Sequence, residues 1–148
     1  MAILTDFVIA PEAEAKAVLA QPSPTRRWPG VEAKSIDIIR LASLKFILDG
    51  QALDDNAVVS YSERFIFLAS SADDESHVVR VPSELIEALS KLPNDKVRPI
   101  ASAWLQTDEF QMDGWWKEED LFEVVSRLRS LAVEASTGTV PVLLRWSL

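Results

Sequence analysis

The chain has the length and composition of one ordered globular domain. Its 148 residues are 48% hydrophobic and 26% charged, with four glycines and no cysteine, so disulfides, thiolate metal sites and thiol catalysis are excluded. Fifteen Lys and Arg against 23 Asp and Glu give a formal net charge of -8; this charge repels phosphate backbones, so we expect no nucleic-acid partner.

The chain begins with a predicted strand followed by a predicted helix. Residues 3–9 alternate loosely in hydropathy, and in the next segment, PEAEAKAVLA, Pro11 suits a first helical turn. The first apolar run lacks a basic segment before it, contains Asp6 and is too short to span a bilayer. We therefore expect a soluble, cytoplasmic protein that makes no membrane contact.

Residues 21–30, QPSPTRRWPG, predict an irregular loop because they hold three prolines and a glycine. The loop brings together Arg26, Arg27 and Trp28, and Arg with Trp is a combination enriched at the hot spots of protein interfaces. In the alternative interpretation, Trp28 covers the core as a lid while the two arginines pair with surface carboxylates.

Residues 36–48, IDIIRLASLKFIL, predict a largely buried helix because nine of the thirteen are apolar. Ser35 is its predicted N-cap, and Gly50 lies just past its end. Its polar residues Asp37 and Arg40 are three apart, so we expect them to pair with each other.

The middle of the chain predicts a hairpin and two helices. Residues 64–70 and 77–81 read as strands on either side of the polar segment SADDES, which favours an antiparallel pair. Residues 83–92 have apolar side chains at helical spacing and end before Pro93. A short helix is predicted within residues 97–107.

The C-terminal part predicts the longest helix and the clearest strand. Residues 117–135 carry a continuous apolar stripe, and residues 139–148 alternate in hydropathy. Pro141 lacks an N–H, so the strand lies at a sheet edge or the proline is confined to its first residues. We predict one α+β domain over residues 1–148, with a small mixed or antiparallel sheet packed against about four to five helices.

Three segments of the chain, in the same order, resemble the YfbM-like family of bacterial proteins of unknown function. They are an apolar helix ending in FILDG, the segment VPSELIEALSKL, and a long helix followed by TGTVPVLLRW. The resemblance is one of hydrophobic pattern over about half of the chain. It implies a shared fold, and it implies no activity and no catalytic residue.

The glycines and the histidine exclude several kinds of site. The four glycines stand apart in the sequence, so they build neither a P-loop nor a dinucleotide fingerprint. His77 is the single histidine, which excludes a multi-histidine metal site. Asp73 and Asp74 lie close to it and could orient it as a base; in the alternative, His77 is structural and the carboxylates are solvated. We expect no cofactor and no bound metal.

Trp115 and Trp116 stand before the last helix, and neither fits its apolar stripe. If the helix extended back through them, each ring would lie more than about 100° from the centre of the stripe, with Phe122 forming a second aromatic edge. If the helix begins at Lys117, Trp116 has the spacing of a hydrophobic staple with Leu121, and Trp115 lies in the entering loop. Either way, one tryptophan needs an additional contact from another loop or from a partner.

The acidic residues after the tryptophans have an ordinary explanation. Glu118, Glu119 and Asp120 fall in the first helical turn, where negative charge complements the positive end of the helix. We therefore do not interpret them as catalytic.

The leading functional hypothesis is a bacterial-type, non-catalytic, acidic protein that binds another protein or itself. Its predicted contacts are Trp115, Trp116, Phe122, Trp28, Arg26 and Arg27. One alternative is a small hydrolase or metal-dependent enzyme that uses His77 with Asp73 or Asp74. Another is an immunity-type antidote that presents carboxylates to a basic toxin.

Overall fold

The chain folds around a five-stranded sheet whose neighbouring strands are all antiparallel. The computed structural model describes residues 3–147. The strands lie in the order β2-β1-β5-β4-β3. Their bounds are β1 (Leu4–Ile9), β2 (Gly30–Lys34), β3 (Ile66–Ser70), β4 (Ser76–Arg80) and β5 (Val142–Ser147).

Seven α-helices lie within the described residues, and they confirm the predicted α+β class with a long C-terminal helix before a terminal strand. Two of them, α3 and α6, were not predicted, and neither was β2. The helices are α1 (Ala15–Ala20), α2 (Ile38–Leu48), α3 (Asp55–Ser62), α4 (Ser83–Ser90), α5 (Val97–Leu105), α6 (Asp108–Asp113) and α7 (Glu118–Ser136).

The sheet separates two apolar clusters because side chains alternate between its faces. On one face, Phe7, Val79 and Leu144 belong to a large cluster with the buried sides of α2, α4, α5 and α7. On the other face, Val8 and Leu143 belong to a smaller cluster with α1 and the proline-rich loop. Each fully buried side chain of this size contributes about 2 kcal/mol, so the larger cluster supplies most of the stability.

The long helix α7 begins where the staple interpretation places it. Asp120 accepts a hydrogen bond from the backbone N–H of Lys117 at 2.9 Å, which closes the first turn. Trp116 and Leu121 both belong to the large cluster. The other buried residues of the helix follow helical spacing and are Val125, Leu128, Leu131, Ala132 and Ala135.

The start of α2 corrects two predictions. Asp37, not Ser35, is the N-cap: its Oδ1 accepts the backbone N–H of Arg40 at 2.8 Å, and Ser35 has a left-handed φ of 57°. The predicted ion pair between Asp37 and Arg40 is also wrong. The carboxylate turns toward the backbone of the first turn, whereas the guanidinium of Arg40 reaches Asp113 at 2.7 Å.

The last strand, β5, lies at the centre of the sheet between β1 and β4. Pro141 therefore does not mark an edge. It stands just before the strand, where its carbonyl accepts the N–H of Ala10 at 3.2 Å, as the second alternative predicts. Leu148 lies outside the described residues. None of the helices in residues 3–147 has both the length and the apolar character needed to cross a membrane.

Candidate binding surface at the tryptophan pair

Trp115 and Trp116 differ in burial although their rings stack. Trp115 is 55% exposed, whereas Trp116 is half-buried against the large cluster. The ring centroids are 4.2 Å apart, and the ring planes meet at 23°. Trp116 Nε1 also donates a hydrogen bond to Asp113 at 2.8 Å. Trp116 is thus held inside the chain, and Trp115 is the ring that remains exposed.

A continuous row of aromatic rings joins Trp115 to the core. Trp116 meets Phe110 edge to face at a centroid distance of 5.1 Å, and Phe110 meets Trp104 in the same way at 5.0 Å. Trp104 is fully buried, and its Nε1 donates to the carbonyl of Arg40 at 2.9 Å. We call these four rings the aromatic ladder. Because its inner rings are fixed, Trp115 stands on a rigid support.

The buried guanidinium of Arg40 fixes the ladder to α2 and α6. It donates to the carbonyls of Ser35 and Glu109, the second at 2.8 Å, and to the carboxylate of Asp113 at 2.7 Å. Its central carbon lies 4.5 Å from the centroid of the Phe110 ring, within cation–π range. The charge is therefore paired and both terminal nitrogens are hydrogen-bonded, as burial requires, whereas the buried Nε has no hydrogen-bond partner among residues 3–147.

Asp113 joins the two donors that hold the ladder. The hydrogen bond from Trp116 lowers the pKa of Asp113; desolvation opposes this effect, and the hydrogen bond and charge of Arg40 reinforce it. The carboxylate therefore stays ionised in the folded protein to a lower pH than a free aspartate.

The tryptophan pair lines a groove between the edge strand β2 and the first half of α7. We call it the β2 groove; its volume is about 600 Å³. Acidic and basic residues are equal in number in its lining: Glu32, Asp120 and Glu123 are acidic, and Lys34, Lys117 and Arg127 are basic. Its apolar lining consists of Val31, Trp115, Trp116 and Val124.

Phe122 is half-buried on another flank of α7. The guanidinium carbon of Arg98 lies 4.2 Å from its ring centroid, and Arg98 also pairs with Glu119 at 2.7 Å. Phe122 thus lies under an arginine and is not part of the groove lining.

The proline-rich loop lies away from the tryptophan pair, over the smaller cluster. Trp28 is 8% exposed there, and its Nε1 donates to Glu14 at 2.7 Å. Arg27 stacks on this ring with its guanidinium carbon 4.5 Å from the centroid, and Arg26 is exposed. Trp28 has the position that the lid interpretation gave it, but within the described part of the chain neither arginine forms the ion pair with a surface carboxylate that this interpretation expected. Trp28, Arg26 and Arg27 are therefore not part of the candidate surface.

His77 is the centre of a second polar cluster, at the hairpin of β3 and β4. Its Nδ1 lies 2.8 Å from Ser70 Oγ, and its Nε2 lies 3.1 Å from the carbonyl and 3.7 Å from the carboxylate of Asp74. The imidazole packs between Phe67 and Trp146, with centroid distances of 5.6 and 5.1 Å. If Nε2 carries the proton that Asp74 accepts, Nδ1 is free to accept the hydroxyl of Ser70.

Asp73 is not joined to His77. It accepts hydrogen bonds from the Ser71 hydroxyl and the Glu75 N–H, and these bonds lower the pKa of Asp73. Its role is to shape the turn. Sequence reasoning missed Ser70, although Ser70 lies directly opposite His77 in the hairpin, and this register could have pointed to it.

A smaller cavity of about 210 Å³ lies between α4 and the C-terminal end of α7. Its charged residues Arg80 and Glu87 are already paired, with Glu12 at 2.8 Å and Lys91 at 2.7 Å. Across residues 3–147, no group of three or more His, Asp or Glu side chains is arranged to hold a metal ion.

No family model matches this chain, and no curated protein or solved structure is significantly similar to it. The resemblance to the YfbM-like family stays a prediction. The function has to be inferred from the surface itself.

Proposed function

We propose that this chain is a non-catalytic binding protein that holds a partner protein at Trp115, in the β2 groove. The observation that carries the proposal is the 55% exposure of Trp115 at the outer end of the aromatic ladder, whose inner rings Phe110 and Trp104 are buried. Tryptophan is enriched among the residues that dominate interface energies. A ring that is already held in place loses little conformational freedom when a partner covers it.

The segment around Trp115 offers a second large apolar side chain. Met112 is 85% exposed, and Gly114, with a left-handed φ of 75°, turns the chain between the two residues. A methionine adapts to partners of different shape. An adaptable side chain beside a rigid one suits protein recognition.

The net charge favours a basic partner. The lining of the groove is balanced, but the whole chain carries -8, which attracts cations over the surface. A second copy of the chain would bring the same negative charge, so we favour a different protein over self-association. An antidote that binds a basic toxin would be one protein of this kind.

The test is a selection of short random peptides, displayed on phage, against the whole chain. We expect peptides whose affinity falls at least about tenfold on Trp115→Ala, the loss of one interface hot spot. Val59→Ala is the matched control, since Val59 is 52% exposed on α3 and does not line the groove. A selection that yields no binder, or binders that ignore Trp115→Ala, would contradict the proposal.

The distance of 2.8 Å between Ser70 Oγ and His77 Nδ1 favours a second candidate, a serine hydrolase. In it, Ser70 Oγ attacks an acyl carbonyl while His77 takes the hydroxyl proton; His77 then gives this proton to the leaving group as its bond to the acyl carbon breaks, and water hydrolyses the acyl group from Ser70. A fluorophosphonate probe would then label Ser70 with loss of fluoride, and His77→Gln would abolish the labelling. Absence of labelling at Ser70 would exclude the serine hydrolase.

A further inference from the structure

The hydrogen bonds at the two ends of β2 determine which of its backbone groups face β1. Before the strand, Ile9 donates its N–H to the carbonyl of Pro29 at 2.9 Å. After it, Ser35 donates its N–H to the carbonyl of Ile3 at 2.7 Å. In an antiparallel pair, residues that bond to the neighbouring strand alternate with residues that do not, so these two bonds fix the alternation in between.

Val31 and Ala33 therefore bond to β1, opposite Phe7 and Thr5 in the register. The N–H and C=O groups of Glu32 and Lys34 face away from the sheet, because β2 is an edge strand. An edge of this kind can pair with an additional strand.

From this edge and the groove beside it, we propose that the partner enters as an extended strand that pairs with the outer side of β2. This inference rests on the proposed function and specifies the conformation of the bound segment. Main-chain hydrogen bonds to Glu32 and Lys34 would supply affinity, and pockets for alternate side chains would supply specificity.

The two sides of the edge predict the composition of the partner segment. Toward the helices, alternate side chains of an added strand would meet the apolar groups of the β2 groove, chiefly Trp115 and Val124. Toward the other face they would meet the side chains of Glu32 and Lys34, in a depression of about 390 Å³. The segment should thus alternate apolar and polar residues.

The side chain of Arg127 lies over this edge of β2, where it contacts an outward-facing carbonyl. Its Nη1 lies 3.4 Å from the carbonyl of Glu32 and 4.0 Å from the carboxylate of Glu123, and its side chain is half-exposed. Both contacts are long and solvent-exposed, so an incoming strand can replace them at little cost in free energy.

A proline at position 32 tests the backbone contact. The N–H of Glu32 faces outward, so Glu32→Pro removes one outward donor without removing a hydrogen bond to β1. Glu32→Ala is the control, because it removes the carboxylate and keeps the donor. We expect the peptides selected on the whole chain to bind Glu32→Pro at least about tenfold more weakly than Glu32→Ala.

Amide hydrogen exchange of the unmodified chain tests the same contact without a variant, in case Glu32→Pro fails to fold. On peptide binding, we expect exchange at Glu32 and Lys34 to slow at least about tenfold. Val31 and Ala33 are internal controls that are already protected by β1.

The outcomes separate the two proposals. Peptides that need Trp115 but bind both position-32 variants equally, with unchanged exchange at Glu32 and Lys34, would overturn strand addition and leave the binding function standing. Peptides that ignore Trp115→Ala would overturn both. A dimer of the free chain whose amides at Glu32 and Lys34 are already protected would identify a second copy as the occupant and overturn our choice of partner.

Discussion

Arg40 joins parts of the chain that are far apart in sequence. Its guanidinium bonds to Glu109 and Asp113, which are 69 and 73 residues away, and its carbonyl accepts the indole N–H of Trp104. Removing one partner of a buried ionic network costs more than removing the whole network, because the groups left behind lose both water and protein contacts. The position of Trp115 therefore depends on a residue it does not touch.

Replacing Arg40 should destabilise the protein strongly. We expect Arg40→Met to lower the free energy of unfolding by about 3 kcal/mol, since two carbonyls and a carboxylate lose their donor. Arg40→Lys should recover only part of this loss, because an ammonium cannot reproduce the planar fork. Urea unfolding measures both variants. The exposed Arg26→Ala is the control and should stay within about 0.5 kcal/mol; an equally small effect at position 40 would contradict the assigned network.

Asp113 should make part of the stability dependent on pH. Its pKa is lowered in the folded state by the indole of Trp116 and by Arg40. Because the pKa of Asp113 is lower in the folded state, its ionised form stabilises the protein fully at a pH above its pKa in the unfolded state, near 3.8. This stabilisation is lost as the pH falls through the pKa of the folded state. The stability difference between the natural chain and Asp113→Asn should therefore shrink from pH 7 to about pH 2 in urea unfolding. A difference that is constant with pH would refute this linkage.

Gly30 allows β2 to approach β1 closely. A Cβ built there would lie 2.3 Å from the carbonyl oxygen of Phe7 and 2.9 Å from Val8 Cγ1. The first of these is a backbone atom, which cannot move without disturbing the pairing of β1 with β2. The groove and the strand edge beside Trp115 thus depend on this glycine.

We expect Gly30→Ala to destabilise the protein by about 2 kcal/mol, the usual cost of an overpacked site. Gly138→Ala is the matched control, since its Cβ would meet no atom within 4 Å, and it should be neutral or slightly stabilising. Thermal unfolding of the two variants compares them directly. Equal melting temperatures for Gly30→Ala and Gly138→Ala would contradict a close approach of β1 and β2 at Gly30.

Elements with a strong local pattern were predictable from the sequence, and β2 was not. The stripe of α7 and the hairpin of β3 and β4 each carry a regular hydropathy period. In contrast, β2 reads GVEAK and has a single large apolar residue. Its identity comes from pairing with β1, and burial of Val31 against the helices supplies the energy. With only one large apolar residue, the sequence of β2 has no alternation of apolar and polar residues strong enough to predict a strand.

The candidate surface was half predictable for the same reason. Two adjacent tryptophans outside the stripe indicated that one ring would lack an internal place, and Trp115 is that ring. The groove beside it needs β2 next to α7, as in the contact between Glu32 and Arg127, which are 95 residues apart. Such a contact is fixed by the order of strands, which depends on the whole chain.

The molecule as a whole combines a strongly negative surface with a groove of balanced charge. The net charge of -8 acts over about one Debye length, whereas the contacts at Trp115 and at the edge of β2 act only at short range. Long-range attraction changes how often partners meet, and short-range contacts set how long they stay.

The rates of peptide binding should separate these two contributions. For a selected peptide extended by lysines, we expect the association rate to fall several-fold as NaCl rises from about 0.05 M to about 0.5 M, with a nearly constant dissociation rate. The same peptide extended by glutamines should associate more slowly and depend little on salt. Stopped-flow measurement of tryptophan fluorescence can follow both peptides, because Trp115 becomes covered on binding. If salt mainly changes the dissociation rate, charged contacts inside the groove hold the partner. That result would contradict a groove whose acidic and basic residues balance and whose affinity comes from Trp115 and the edge of β2.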